Sequence, residues 1–217
     1  MKGWIVATGT LVVCAGVALA YTATLDEFKE AVKHTGCESI PYSDLRGDCK
    51  GKASDRDDWC KNKGKFTCDD LDPRGLKQQI DNIDGKLKEL KAQRDTLKDK
   101  RSDAKDDEER KKLDEQVAAV EDQIDKLDKK LDEMKHRLDE EKHQINDRIY
   151  IGQHCLDSRN DVQDKFDRAR SAADSESDEQ IKPLARQLIE LWNKGSDDHK
   201  KITADTKTAV EQCKGFR

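Results

Sequence analysis

Residues 76–97 read LKQQIDNIDGKLKELKAQRDTL, and the spacing of their apolar side chains predicts a long helix. These side chains recur at alternating steps of four and three, then by sevens, as in helices that pack along a narrow stripe. Asp72-Pro73 is typical of a helix start, with Asp as the cap and Pro in the first turn. The members of this first seam are Leu76, Ile80, Ile83, Leu87, Leu90, Leu97 and Ala104.

A second heptad seam begins nine residues after Ala104, where an unbroken repeat would place the next apolar residue after seven or eleven. This change of phase fits either the bend of a hairpin or a stutter in one straight helix that dimerises. Asp106 or Asp107 could cap a new helix, which favours a hairpin that folds back near Glu109. The second seam comprises Leu113, Val117, Val120, Ile124, Leu127, Leu131, Met134, Leu138 and Ile145.

Charges beside the two seams also favour the hairpin. Folding the chain back places side chains of opposite charge opposite each other at three successive heptads. Exposed pairs of this kind are each worth only about 0.2–1 kcal/mol, but they specify partner and register. The predicted pairs are Lys98 with Glu121, Lys91 with Asp128, and Asp84 with Lys135.

The composition agrees with an extended helical protein. Of the 217 residues, 34% are hydrophobic and 41% are charged, whereas globular domains have roughly 45–50% and 25%. Such a chain cannot bury one large compact core. The net charge is −5 and the two signs are interspersed, so the sequence lacks the basic face that nucleic-acid binding requires.

The first twenty residues resemble a signal peptide rather than part of the fold. Lys2 precedes a mostly apolar stretch that ends in the small-x-small site Ala18-Leu19-Ala20, where a signal peptidase would cut, with cleavage after Ala23 as a second option. Two alternatives remain open. Leu11-Val12-Val13-Cys14 has the outline of a lipoprotein box with Cys14 as the lipidated residue, or the segment is retained as a membrane anchor.

Cysteine parity supports export. Removal of the signal peptide leaves an even number of cysteines, which in an exported chain predicts disulfides. Two local bridges could form inside the segment from Cys37 to Cys68, and Cys155 and Cys213 could join two parts of the C-terminal region, but spacing does not choose among the 15 connectivities of six cysteines. The stretch from Cys49 to Cys68 is interpreted as a stapled loop, with Trp59 packed over a bridge. The disulfide candidates are Cys37, Cys49, Cys60, Cys68, Cys155 and Cys213.

No motif in the sequence predicts a catalytic, cofactor-binding or metal-binding site. The cysteines lack the close C-x2-C spacing of zinc and redox sites. His136, Glu140 and His143 share one helix face, but the heptad places both histidines farthest from the seam. Arg46-Gly47-Asp48 spells an integrin-binding tripeptide that we interpret as a polar turn. The carboxylates of Asp55, Asp57 and Asp58 lack the glycine and the distal glutamate of a calcium-binding loop.

These features predict an all-α protein with four parts. Residues 1–20 form the signal peptide, 21–72 a cysteine-rich segment, 73–148 a coiled-coil hairpin, and 149–217 a small bundle of C-terminal helices. Within the last part, Lys194-Gly195-Ser196-Asp197 is expected to end one helix and begin another. Gly152 is expected to mark the end of the long second arm.

The predicted function is that of an exported, non-enzymatic interaction protein, either periplasmic or secreted. Its partner would be another protein, or a second copy bound through the coiled coil, with no nucleic acid and no cofactor. It would contact a membrane only if Cys14 is lipidated or the N-terminal segment is retained, which would make it a tethered spacer. A further alternative is a small enzyme or inhibitor domain in the cysteine-rich segment.

Overall fold

A computed structural model of the chain describes residues 21–62 and 65–217. Five α-helices and no strand occur in these ranges. The predicted signal peptide and Cys14 lie outside the described residues. The helices are α1 (Leu25–Ala31), α2 (Ser43–Asp57), α3 (Pro73–Asp103), α4 (Asp107–Asp174) and α5 (Lys182–Lys214), with a 3-10 turn at Gly36–Ser39 and a π-helical turn at Asp58–Asn62.

Helix α4 is the spine of the molecule. Its 68 residues span about 100 Å at 1.5 Å per residue. Helix α3 packs on the N-terminal half of α4, and α2 and α5 pack on its C-terminal half. The prediction of an all-α fold with a long antiparallel hairpin is therefore confirmed. We call residues 73–148 the hairpin, and residues 21–62, 65–72 and 149–217 the base.

The two seams of the hairpin face each other. Leu76, Ile83 and Leu87 on α3 are buried with Ile124 and Leu131 on α4 in one apolar cluster. Because all members of this cluster belong to α3 and α4, the hairpin closes its apolar stripe on itself. At the root, the last member of the second seam, Ile145, packs instead with Cys68, Leu71 and Val210 of the base.

The ends of the hairpin helices agree with the predicted caps. The Asp72 carboxylate accepts a hydrogen bond from the Gly75 amide at 2.9 Å. The Asp106 carboxylate accepts one from the Glu108 amide at 3.2 Å. The bend lies at residues 104–106, a few residues before the expected position near Glu109. Arg110 closes it by donating from Nε to the carbonyl oxygen of Ala104 at 2.9 Å.

Two of the three predicted ion pairs are present. Lys98 Nζ lies 2.8 Å from a Glu121 carboxylate oxygen. Lys91 Nζ lies 3.7 Å from an Asp128 carboxylate oxygen. The pair of Asp84 with Lys135 is not among the ion pairs of the described residues. The positions that do pair give the predicted antiparallel register.

The predicted helix break at Gly152 is wrong, because α4 continues through this residue to Asp174. Gly152 instead allows α5 to approach closely. A Cβ atom at this position would lie 2.3 Å from Cγ2 of Val210 and 3.1 Å from Cβ of Phe66. A glycine inside a helix costs about 1 kcal/mol relative to alanine, which close packing on both sides offsets here.

The predicted break at Lys194-Gly195-Ser196-Asp197 is also wrong, because Lys182–Lys214 forms one helix. The buried face of α5 runs through this stretch, from Leu188 and Trp192 to Ser196 and Thr206. Packing of this face on α4 maintains the helix where the local sequence favours a stop.

The cysteine-rich segment is more helical than predicted. The stretch after Cys49 is not a loop, because α2 continues to Asp57 and a π-helical turn follows. Arg46-Gly47-Asp48 lies within α2 rather than in a turn. Leu45 and Cys49, one helical turn apart, are 1% and 0% exposed and belong to the base core, so burial of this face stabilises the helix.

All six cysteines outside the predicted signal peptide form disulfides, and the structure gives the connectivity that their spacing left open. Cys37–Cys49 is the one local bridge. Cys60–Cys155 and Cys68–Cys213 join the cysteine-rich segment to α4 and α5, across 95 and 145 residues of chain. Cys155 and Cys213, which could have joined each other, do not pair, because the cysteine-rich segment supplies one cysteine to α4 and one to α5.

Helix α5 ends where α3 begins, and both run antiparallel to α4. Arg74, in the first turn of α3, donates from Nη2 to the carbonyl oxygen of Gly215 at 2.6 Å. The Cys68–Cys213 bridge lies beside this junction. The negative end of the α5 dipole therefore meets the positive end of the α3 dipole, which is a favourable arrangement.

Candidate functional sites

The hairpin is a long, solvent-exposed arm. Helix α3 is about 46 Å long at 1.5 Å per residue. No large hydrophobic side chain is exposed in residues 73–148, and the outer positions carry mainly Lys, Arg, Asp and Glu. A partner of this surface would therefore have to recognise charge and shape rather than an apolar patch.

The root of the hairpin is fixed to the base by an ionic clasp. Arg148 of α4 donates from Nη1 to Asp70 at 2.5 Å and to the carbonyl oxygen of Thr67 at 2.7 Å. Lys65 Nζ lies 3.1 Å from the same Asp70 carboxylate. The hydrogen bond from Arg148, followed by that from Lys65, holds the pKa of Asp70 well below its usual range. This clasp orients residues 65–72, which lead into α3.

An aromatic cluster lies at the surface of the base, and sequence reasoning missed it. The Trp59 ring stacks on the His154 ring with centroids 4.4 Å apart and planes at 20°. Tyr150 contacts both rings edge-on, with centroids 5.7 Å from Trp59 and 4.3 Å from His154. The Tyr150 side chain is 55% exposed. Tyr150 is therefore the exposed edge of this cluster, and Trp59 and His154 are half-buried.

The Cys60–Cys155 disulfide explains this cluster. Trp59 precedes Cys60 and His154 precedes Cys155, so the bridge brings the two rings together. Tyr150 and His154 are four residues apart on α4 and share a face. The sequence contained the helical spacing but not the pairing of the two cysteines. Trp59 was expected to pack over a bridge, and its ring partners are the two α4 side chains beside one.

The side chains of His136, Glu140 and His143, which share one face of α4, are exposed on the hairpin. The His136 side chain is 76% exposed and lies 3.3 Å from Glu140. The His143 side chain is 79% exposed and lies 3.5 Å from Asp147. The histidines therefore pair with carboxylates one turn away and do not converge on a common point.

The carboxylates in the cysteine-rich segment are likewise dispersed. The Asp57 carboxylate pairs with Arg56 at 2.8 Å and with Lys61 at 3.2 Å. Within residues 21–62 and 65–217, no group of three or more His, Cys, Asp or Glu side chains is arranged to hold a metal ion.

The three disulfides indicate that the chain folds in an oxidising, extracytoplasmic compartment. None of the described helices is long and apolar enough to cross a membrane. No protein-family model, curated protein or solved structure matches the chain. Its function must therefore be argued from the geometry alone.

Proposed function

We propose that the chain is an exported, non-enzymatic interaction protein that presents its helical hairpin to another protein of the envelope or the extracellular space. The observation that carries this proposal is the division of the molecule into a hairpin that packs on itself and a base closed by disulfides. The base holds the root of a long, charged arm. Such a design suits the display of a recognition surface at a distance.

The burial of both seams argues against a dimer formed through them, and the charges on the outer face of the hairpin support binding to a different protein. Both seams are already buried against each other, so a seam-mediated dimer would require the hairpin to open. The outer face offers charged side chains such as Lys100 and Glu115 near the bend, both exposed. Charged surfaces of this kind steer association and select partners.

Site-specific photo-crosslinking in the exporting host tests this proposal. A photoreactive residue is placed at Lys100 or at Glu115 on the hairpin, and at the exposed Lys201 on α5 as the matched control. We expect a discrete adduct with one partner from the two hairpin positions and none from position 201. Adducts from position 201 alone, or none from the hairpin, would refute the proposal.

A shortened hairpin locates the contact. Excision of residues 84–97 and 122–135 removes two heptads from each arm and keeps both seams and the register set by Lys98 and Glu121. The bend moves about 21 Å towards the base. An adduct from Lys100 that survives the excision would place the partner at the bend. Its loss would place the partner on the excised part of the arms, or at a fixed distance from the base.

The N-terminal segment decides between a released protein and a tethered spacer. Fractionation of the full-length protein from its host measures this directly. We expect recovery in the soluble exported fraction with an N-terminus at Tyr21 or Thr24. Membrane association that resists high salt, or a lipid on Cys14, would show instead that the hairpin is presented from a membrane.

A further inference from the structure

A cavity of about 360 Å³ lies in the base between the end of α2, the 3-10 turn, α4 and α5. One wall is apolar and includes Val162, Phe166, Leu191 and Trp192. The Phe166 and Trp192 rings lie with centroids 6.3 Å apart. Trp192 is held in place because its indole nitrogen donates to Ser39 Oγ at 2.9 Å. The volume falls within the range of about 300–1,000 Å³ typical of small-molecule sites.

Gly195 lies in the middle of the α5 face that lines this cavity. Its neighbours at three and four residues on either side, which share a helix face with it, also line the cavity. A Cβ atom at Gly195 would meet no other atom within 4 Å. The space in front of α5 is therefore open where this side chain is absent, and a larger residue at this position would enter it.

Gln163 of α4 presents an unused hydrogen-bond acceptor at the cavity. Its amide nitrogen donates to Asp167 at 3.0 Å and to Ser196 Oγ at 3.4 Å. These two bonds use both amide hydrogens and hold the side chain between α4 and α5. The amide oxygen has no hydrogen-bond partner among the described residues, and it is not one of the buried unpaired atoms. It is therefore accessible to a ligand that carries an N–H or O–H donor.

The charged side chains at the rim of the cavity compensate one another. Arg56 donates from Nε and Nη2 to Asp57 at 3.0 and 2.8 Å. Lys194 and Asp198 have opposite charges and lie one turn apart on α5. Burial lowers the pKa of His199, which favours its neutral form. The rim therefore offers no excess charge, and a neutral molecule avoids the cost of desolvating an ion.

We propose that this cavity binds a small neutral aromatic molecule with one hydrogen-bond donor, such as an indole or a phenol. Phe166 and Trp192 contact its ring, since aromatic rings favour edge-to-face and offset-stacked contacts. The donor bonds to the amide oxygen of Gln163 and fixes the orientation of the ring. Apolar contact supplies most of the affinity, and the hydrogen bond selects among ligands of the same shape.

Calorimetric titration of the folded, oxidised chain tests this proposal with three probes. Indole carries the ring and an N–H donor, 1-methylindole has the same ring without the donor, and indole-3-carboxylate adds a negative charge. We expect indole to saturate at one molecule per chain and 1-methylindole to bind about fivefold more weakly, the loss typical of one hydrogen bond. No saturable binding of indole, equal binding of 1-methylindole, or tighter binding of the carboxylate would overturn the proposal.

The G195L variant tests the location of the site. Leucine is a better helix former than glycine, so we expect the melting temperature to stay at or above that of the wild type. Indole should bind about tenfold more weakly or not at all, because the leucine side chain occupies the apolar space. G85L is the matched control, since a Cβ atom there also meets nothing within 4 Å, and it should not change indole binding. Wild-type affinity in G195L would place the ligand elsewhere and refute the proposal.

The Q163L variant tests the hydrogen bond separately from the apolar contact. It should bind indole and 1-methylindole with equal affinity, because the acceptor that distinguishes them is gone. A preference for indole that survives in Q163L would contradict the role given to Gln163. Failure of this proposal would leave the hairpin proposal unaffected, because the two use different parts of the chain.

Discussion

The hairpin and the base solve the same problem of low hydrophobic content in different ways. The hairpin buries a narrow stripe between two helices and exposes charges on its remaining surface. The base surrounds its core with four helices and a 3-10 turn, and adds three disulfides. The comparison teaches that a regular repeat stabilises an extended structure without cross-links, whereas a short irregular segment needs them.

The largest expected effect is the loss of the Cys68–Cys213 bridge. The chain-entropy model predicts that C68S/C213S lowers the free energy of unfolding by about 4–5 kcal/mol, because with Cys60–Cys155 intact the bridge closes an effective loop of about 66 residues. C37S/C49S is the matched control, since its loop of 12 residues predicts a loss of about 3 kcal/mol. Urea unfolding measures both.

Hydrogen exchange on C68S/C213S tests whether the two regions are independent. We expect faster exchange at residues 65–72 and 206–214, with protection of the hairpin helices unchanged. An equal loss of protection in the hairpin would show that the molecule unfolds as one cooperative unit, and the division proposed here would be wrong.

Truncation of a buried leucine to alanine compares how far each region can close around the resulting cavity. Leu188 in the base is 0% exposed and Leu87 in the hairpin is 4% exposed. L188A should cost about 4–5 kcal/mol, and L87A about 3 kcal/mol, because two helices can close partly around the gap. Equal losses in urea unfolding would show that the hairpin encloses its seam as firmly as the base encloses its core.

Glycine replacement should have opposite effects in the two regions. G152A places a methyl group against Val210 and should cost about 1–3 kcal/mol. G85A lies in α3, where the new methyl group meets nothing within 4 Å, so it should stabilise by about 0.5–1 kcal/mol. Thermal unfolding measures both. A neutral G152A would show that α5 can move away from α4 without loss.

Ion pairing gives the smallest expected effect. A double-mutant cycle on Lys98 and Glu121 should yield a coupling of about 0.2–1 kcal/mol that falls as salt is added, because both side chains are about half exposed. The cycle on Arg148 and Asp70, which join the root of the hairpin to the base, should be larger and less sensitive to salt, since the Arg148 side chain is only 15% exposed. A larger coupling for Lys98 with Glu121 than for Arg148 with Asp70 would contradict the role of the Arg148–Asp70 clasp in fixing the root of the hairpin.

The sequence predicted the hairpin well because heptad spacing and capping residues act locally. Leu76 to Leu90 and Val117 to Leu131 each define one helix face, and Asp72 and Asp106 cap the helices as expected. The register followed from charges at fixed spacing, although the pair of Asp84 with Lys135 did not form.

The base was predicted less well because its helices depend on long-range contacts. Gly152 and Gly195 are weak helix formers, and the sequence alone favoured a break at each. Packing between α4 and α5 overrides this preference. The aromatic cluster was likewise missed, because Trp59 lies far along the chain from Tyr150 and His154.

By itself, therefore, the sequence determined the all-α class, the two seams and the even number of cysteines available for disulfides. Only the tertiary structure decided which cysteines pair, which glycines lie inside helices, and that Trp59 stacks on His154. The physical reason is the distance along the chain over which each interaction acts. Helix periodicity and capping act within a few residues, whereas the bridges that close 95 and 145 residues of chain form only after the base helices pack around α4.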